Sequence, residues 1–313
     1  MASNHGRTIR RAAAAAVVAV LAVGTGTAGL AGAATGDSWT AHPAAAANNW
    51  LSVAYGNGVF VAISVDGTNR VMSSPDGTTW TAHTAAAAEN WLSVAYGNGQ
   101  FVAIADTGTN RVMSSPDGAT WTSHPATEAN IWLSVAYGNG VFVAVASDGT
   151  NRVMTSPDGA TWTSHAAAAA SGWGSVGFGN GTFVALAESG TDRVMTSPDG
   201  VTWTARSAAE SNGWVSVAYG NGAFVAVAFT GINRVMTSAD GVTWTAHAAA
   251  EANDWSAVVY GNGVFVAVAG SGTNRVMTSG SLLPPPTTTT TSGPTTTTTP
   301  AAAPVAVNPT FTG

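Results

Sequence analysis

Six arginines spaced 41 residues apart, Arg70, Arg111, Arg152, Arg193, Arg234 and Arg275, are the side chains of this sequence best suited to holding a ligand. Asn69, Asn110, Asn151, Asn233 and Asn274 precede five of them, and Asp192 takes that place in the fourth copy. A guanidinium offers several directed donors that match a carboxylate or a pair of sugar hydroxyls. Six equivalent weak sites would add through avidity. The same arginines serve a second purpose equally well: each stacks on a neighbouring tryptophan or pairs with an acid such as Glu89, Glu128, Glu210 or Glu251, fastening adjacent repeats. A residue required by every copy of a repeat fits packing as readily as binding.

The other reactive side chains also fall into registers. Tyr55, Tyr96, Tyr137, Tyr219 and Tyr260 share one position, with Phe178 as the sixth member. His42, His83, His124, His165 and His247 share another, where Arg206 is the sixth. A catalytic centre needs different residues converging on one point, whereas these are copies distributed along an array. One histidine per repeat does not gather three ligands around a metal, so no metal or other cofactor is expected. Glu188, Asp192 and Arg206 occur in single copies and are the residual candidates for catalysis. With no cysteine, thiolate chemistry and disulfides are excluded. Lysine is absent and the net charge is −6, which disfavours a nucleic-acid partner.

These registers belong to one internal repeat. All twelve tryptophans lie in two series, one from Trp50 to Trp255 and one from Trp39 to Trp244, each at intervals of 41. Residues 50–83 show four short strand candidates, near 51–55, 60–64, 70–74 and 79–83, rich in β-branched and aromatic residues. Asn57-Gly58 joins the first pair as a tight hairpin, and Pro75-Asp76-Gly77 turns the third into the fourth. The middle strands are apolar on both faces, so each four-stranded sheet must be covered by neighbours on both sides. The reading is an all-β, six-bladed β-propeller over residues 34–283. The last repeat lacks a fourth strand, and Ser38-Trp39-Thr40-Ala41-His42 has the matching pattern, so the N-terminal strand is expected to complete the sixth blade and close the ring. An open solenoid is the alternative; it would require polar capping repeats, which are not visible.

Outside the repeats, residues 1–33 have the grammar of a signal peptide: Arg7, Arg10 and Arg11, an apolar run and a small-residue end at Ala31-Gly32-Ala33. The Gly24, Gly26, Gly29 pattern within it lacks the strand and helix that would make it a dinucleotide loop. Residues 284–313 read as a disordered threonine- and proline-rich stalk. A secreted or cell-surface protein, with no membrane span after processing and acting as a monomer, is expected.

The turns Ser74-Pro-Asp-Gly-Thr-Thr-Trp80, and their counterparts beginning at Ser115, Ser156, Ser197 and Ser238, resemble the Asp-box of sialidase-like propellers, with one residue fewer between Asp and Gly. The resemblance covers the repeat region and implies architecture: Asp76, Asp117, Asp158, Asp199 and Asp240 are expected to be structural turn residues, with their carboxylates accepting backbone N–H groups. Three functions are open. One is a non-catalytic binding module for glycan or cell-envelope ligands on the Arg and Asn face. Another is a structural or adhesive surface protein, and the third is a degenerate sialidase-type glycoside hydrolase.

Overall fold

The computed structural model describes residues 40–279 except Asn262. The leader and stalk calls lie outside the described residues. The protein is an all-β, six-bladed propeller. Its blades span residues 50–83, 91–124, 132–165, 173–206, 214–247 and 255–278, and consecutive first strands lie side by side.

In blade one the strands are Trp50–Gly56, Val59–Ser64, Val71–Ser74 and Thr81–His83, paired antiparallel in sequence order. Asn57 and Gly58 both take positive φ, 48° and 79°, as a two-residue hairpin turn requires. Its register, Gly56↔Val59 through Ser52↔Ile63, is broken by a bulge at Leu51. A bulge re-aims a side chain. Here the bulged position joins an apolar cluster formed by Leu51, Leu92, Leu133, Val65 and Ile131.

Two apolar faces per sheet dictate the packing between blades. Ala54, Val61, Ile63 and Val71 of blade one are sealed under Trp91, Val94, Phe101, Ala103, Met113 and Trp121 of blade two. The next interfaces repeat this set. Polar pins cross the same boundary: Val94 N–H donates to Ser52 Oγ at 3.2 Å, and Val135 N–H to Ser93 Oγ at 3.1 Å. The tightest element is an aromatic wedge. A Cβ on Gly56 would stand 2.0 Å from Tyr96 Cγ, and Gly97, Gly138, Gly179 and Gly220 lie equally close under Tyr137, Phe178, Tyr219 and Tyr260. Each wedge is backed by a phenylalanine of its own hairpin, as with Tyr137 and Phe142 at 4.8 Å between ring centroids.

The sixth blade has three strands, Trp255–Gly261, Val264–Ala269 and Val276–Thr278. Of the segment expected to complete it, Ser38 and Trp39 lie outside the described residues, while Thr40, Ala41 and His42 are exposed and belong to no sheet. The expected closing strand thus falls partly outside the described residues, and the described part of blade six has three strands. Among the described residues Tyr55 is 43% exposed and nothing lies within 4 Å of where a Gly261 Cβ would stand, so no wedge like the interior ones joins blade six to blade one there.

Replacing Gly138 by Ala should force the Phe178 ring off the strand and destabilise the protein by about 1–3 kcal/mol, the usual range for overpacking. Chemical denaturation of the purified variant measures it, and an unchanged midpoint would show that the wedge is not a tight contact.

Candidate binding face

Two sets of loops share one end of the blades: the connections between second and third strands, and those entering each first strand. The arginine register lies here, and in five of the six copies several hydrogen bonds hold the guanidinium. Arg70 Nε donates to Gly67 O at 3.1 Å, while Nη1 donates to Val65 O at 3.0 Å and to Glu89 O, in the loop entering the next blade, at 2.6 Å. Arg111, Arg152 and Arg193 repeat all three contacts, reaching Asn130 O, Ser171 O and Asn212 O respectively. Arg234 reaches Asn253 O and lies 3.7 Å from Asp254, and Arg275, on the last blade, keeps the bond from Nε to Gly272 O. The acceptors are backbone carbonyls, whereas the sequence points to tryptophan faces or acids. Periodicity does not reveal carbonyl direction.

The asparagines beside them are also engaged. Asn69 O accepts from Asn48 Nδ2 at 2.6 Å, and Asn69 Oδ1 accepts from Thr84 Oγ1 at 3.2 Å. Asn110 Nδ2 donates to Ser123 Oγ, and Asn151 Nδ2 donates to Glu128 Oε1 at 2.6 Å. Asn233 and Asn274 bond Glu210 and Glu251 in the same way. These asparagine contacts, the first cause in each case, hold both glutamates below the usual carboxylate range. In the fourth blade Asp192 O accepts from Ser171 Oγ.

At the opposite loop end, Asp158 Oδ1 accepts from Thr161 N–H and Ala160 N–H at 2.8 and 2.9 Å, and from Ser156 Oγ–H at 2.9 Å. Trp162 Nε1 then closes on Gly159 O. Asp76, Asp117, Asp199 and Asp240 make the same turn. His83, His124, His165 and His247 sit on fourth strands, each bonded to the third strand, as His83 Nε2 is to Ser73 Oγ at 2.8 Å, whereas His42 belongs to no sheet. Arg206 substitutes by donating from Nε to Thr196 Oγ1, so the position asks for one hydrogen-bonding group. Burial lowers the pKa of His124 and His165. Among the described residues no three His, Asp or Glu side chains are grouped to hold a metal ion.

One part of the arginine face departs from repetition. The residue after each second strand is Val65, Asp106, Ser147, Glu188, Phe229 and Gly270 in turn, six different side chains. Where the bond is formed, it donates its N–H to the residue preceding the first-strand tryptophan: Val65 to Asn49 O at 3.3 Å, Ser147 to Ile131 O at 3.1 Å, Phe229 to Gly213 O at 3.2 Å and Gly270 to Asp254 O at 3.0 Å. That second position varies as well, as Asn49, Asn90, Ile131, Gly172, Gly213 and Asp254. A backbone frame bonded alike in four blades thus carries a changing set of residues beside the first strands. Burial raises the pKa of Asp106 here, and a Cβ on Gly213 would meet the Phe229 ring at 2.7 Å. Glu188 stood out in the sequence as a single-copy acid; its membership of a variable register emerges once the first and second strands are seen to end together.

The family model described as the DUF6242 beta propeller domain matches the chain over residues 11–132 and again over residues 37–172. No curated protein sequence matches it. Among solved structures, the chain is similar to a streptogramin B lyase, with TM-score 0.61 and 10% identity over 70% of this chain and 75% of that one. It is also similar to a catalytically inactive virginiamycin B lyase from Staphylococcus aureus with quinupristin, with TM-score 0.62 and 9% identity over 74% of this chain and 84% of that one. A third is YCF48 bound to D1 peptide, with TM-score 0.56 and 13% identity over 74% of this chain and 78% of that one. At these identities the likeness is one of fold.

The turn aspartates generate a pH dependence. Hydrogen bonds from Thr161 and Ala160 hold Asp158 below the ordinary aspartate range. A depressed native pKa gives stability that is complete above the unfolded value and is lost as pH falls through the native one. The melting temperature should therefore decline from about pH 4 downward, and changing all five turn aspartates to Asn should lower it at neutral pH while flattening the acid limb. A variant with an unaltered acid limb would assign the dependence to other groups.

Proposed function

The chain belongs to the DUF6242 beta propeller domain family, and from that premise we propose that it is a non-catalytic binding module, exported after removal of residues 1–33, that engages an extracellular glycan or cell-envelope ligand. The ligand sits at the inner end of the arginine face. One observation carries this reading: at the residue after each second strand, beside the first strands, no two blades carry the same residue. Four of the six positions share one backbone bond and yet each bears a different residue, a variety that suits a single asymmetric ligand. The solved relatives support it by analogy, since one is described with quinupristin and another with a peptide.

This reading replaces six equivalent arginine sites with one composite site. Nε and Nη1 of Arg70 donate to carbonyls of the same and the following blade, which supports a role for the arginines in shaping the face. The resemblance of the turns to an Asp-box serves as architecture, and hydrolysis has no place in it: five of the six ring residues in the tyrosine register, Phe178 included, are wedged on glycines of the preceding blade.

Purified residues 34–313 should be screened against glycan arrays and cell-wall fragments, then rescreened as Asp106→Asn/Glu188→Gln/Phe229→Ala and as Arg111→Gln/Arg193→Gln. Binding should fall at least tenfold in the first variant and survive in the second if that variant folds. Binding that depends on the arginines alone would restore the multivalent alternative. Absence of any ligand would favour a structural role.

A further inference from the structure

Blade four departs from its neighbours along its first strand, Trp173–Gly179. In four of the five contacts between successive blades, a serine hydroxyl accepts a backbone N–H from the next first strand. Ser52 accepts from Val94 at 3.2 Å, Ser93 from Val135 and Ser134 from Val176 at 3.1 Å, and Ser216 from Val258 at 2.9 Å. Ser175 holds that place in blade four and is fully buried, yet its Oγ has no hydrogen-bond partner among the described residues. Val217 N–H, the donor that corresponds to those four, is therefore not bonded to it. Leaving a buried hydroxyl unpaired is unfavourable, so its presence here asks for a reason.

The residues leading to Ser175 differ as well. Leu51, Leu92 and Leu133 fill the bulged position of blades one to three and meet in one apolar cluster. Blade four has Gly174 at its bulge, so the cluster gains no side chain there. Gly172 occupies the variable position before the first-strand tryptophan, and a Cβ on it would meet nothing nearer than Ser147 O at 3.7 Å. Two glycines thus lead from the variable loops to Ser175, with the leucines of the preceding blades as an apolar wall. The donors at the end of this notch, a hydroxyl and a backbone amide, are uncharged. Two uncharged donors and an apolar wall suit a neutral carbonyl that carries a small apolar end.

We propose that this notch takes the acetamido group of an N-acetylated sugar. Its carbonyl oxygen accepts from Ser175 O–H and Val217 N–H, and its methyl group packs on the side of Leu133, in the space a leucine at position 174 would fill. The inference rests on the reading of this face as a glycan site and names the group that the site selects. It gives blade four the specificity-determining role within an otherwise repeated wall of serines.

Titration calorimetry of the purified protein with N,N′-diacetylchitobiose and with cellobiose, the same disaccharide frame with hydroxyls in place of acetamido groups, tests it. The acetylated sugar should bind about tenfold tighter or better, the worth of two well-made hydrogen bonds. Ser175→Ala should weaken it about fivefold or more without lowering the denaturation midpoint, because that hydroxyl has no partner in the protein to lose. Ser134→Ala should do the reverse, lowering the midpoint while leaving affinity within about twofold, since its bond to Val176 is structural. Gly174→Leu should abolish binding with the circular dichroism of the fold unchanged. Equal affinity for the two disaccharides, or unaltered binding by Ser175→Ala, would overturn the proposal. If N,N′-diacetylchitobiose does not bind while another glycan does, the notch is refuted and the composite site stands; if no glycan binds, both fall.

Discussion

The contact between one blade and the next governs this structure. A four-stranded sheet with apolar residues on both faces is unstable in water alone, and burial of the second face requires another sheet. Here that burial is made specific by an aromatic ring seated on a glycine: Tyr96 over Gly56, and four repetitions after it. The glycine admits the ring, the neighbouring phenylalanine fixes its tilt, and the serine hydroxyl behind it pins the next strand. Since each of these groups faces the adjacent blade, a substitution at one site is felt at two blades, which keeps the copies alike.

Sameness in the interior throws the variable positions into relief. The arginines and turn aspartates recur because each satisfies backbone groups that would otherwise be stranded in the loops, while the asparagines bond side chains of the neighbouring loops. The residue after the second strand is released from that duty in four blades, because there the backbone makes the bond. These residues are free to differ, and they do so where the inner strands end together. Scaffold and recognition are thereby separated along each blade, with packing in the strands and variety at one end of two of them.

Much of this was legible in the sequence. The 41-residue period, the Asn-Gly hairpins and the two tryptophan series specify four-stranded units and their number, because turn chemistry and alternation are local properties. The partners of Arg70 were not legible, since carbonyl groups carry no side-chain signature and their direction depends on the loop as folded. Nor was the bulge at Leu51 that turns the residue toward the apolar cluster around Leu92 and Leu133. The state of the ends was equally hidden. Matching strand patterns say that Ser38-Trp39-Thr40-Ala41-His42 could complete a blade, but whether the curvature of the five interfaces between successive blades brings the two ends together is a summed geometric property that no single repeat encodes.

If stability resides in contacts between successive blades, each blade is a separable unit of the array. The most direct test removes one period, residues 132–172, so that the second blade passes directly into the fourth, and follows unfolding of the shortened chain by circular dichroism and chemical denaturation. A folded five-blade protein that unfolds cooperatively, with a smaller denaturant slope in keeping with its smaller buried surface, is the predicted result. A chain that no longer folds would contradict the account, because it would mean that the fold depends on the full number of blades and not on the contact between neighbours.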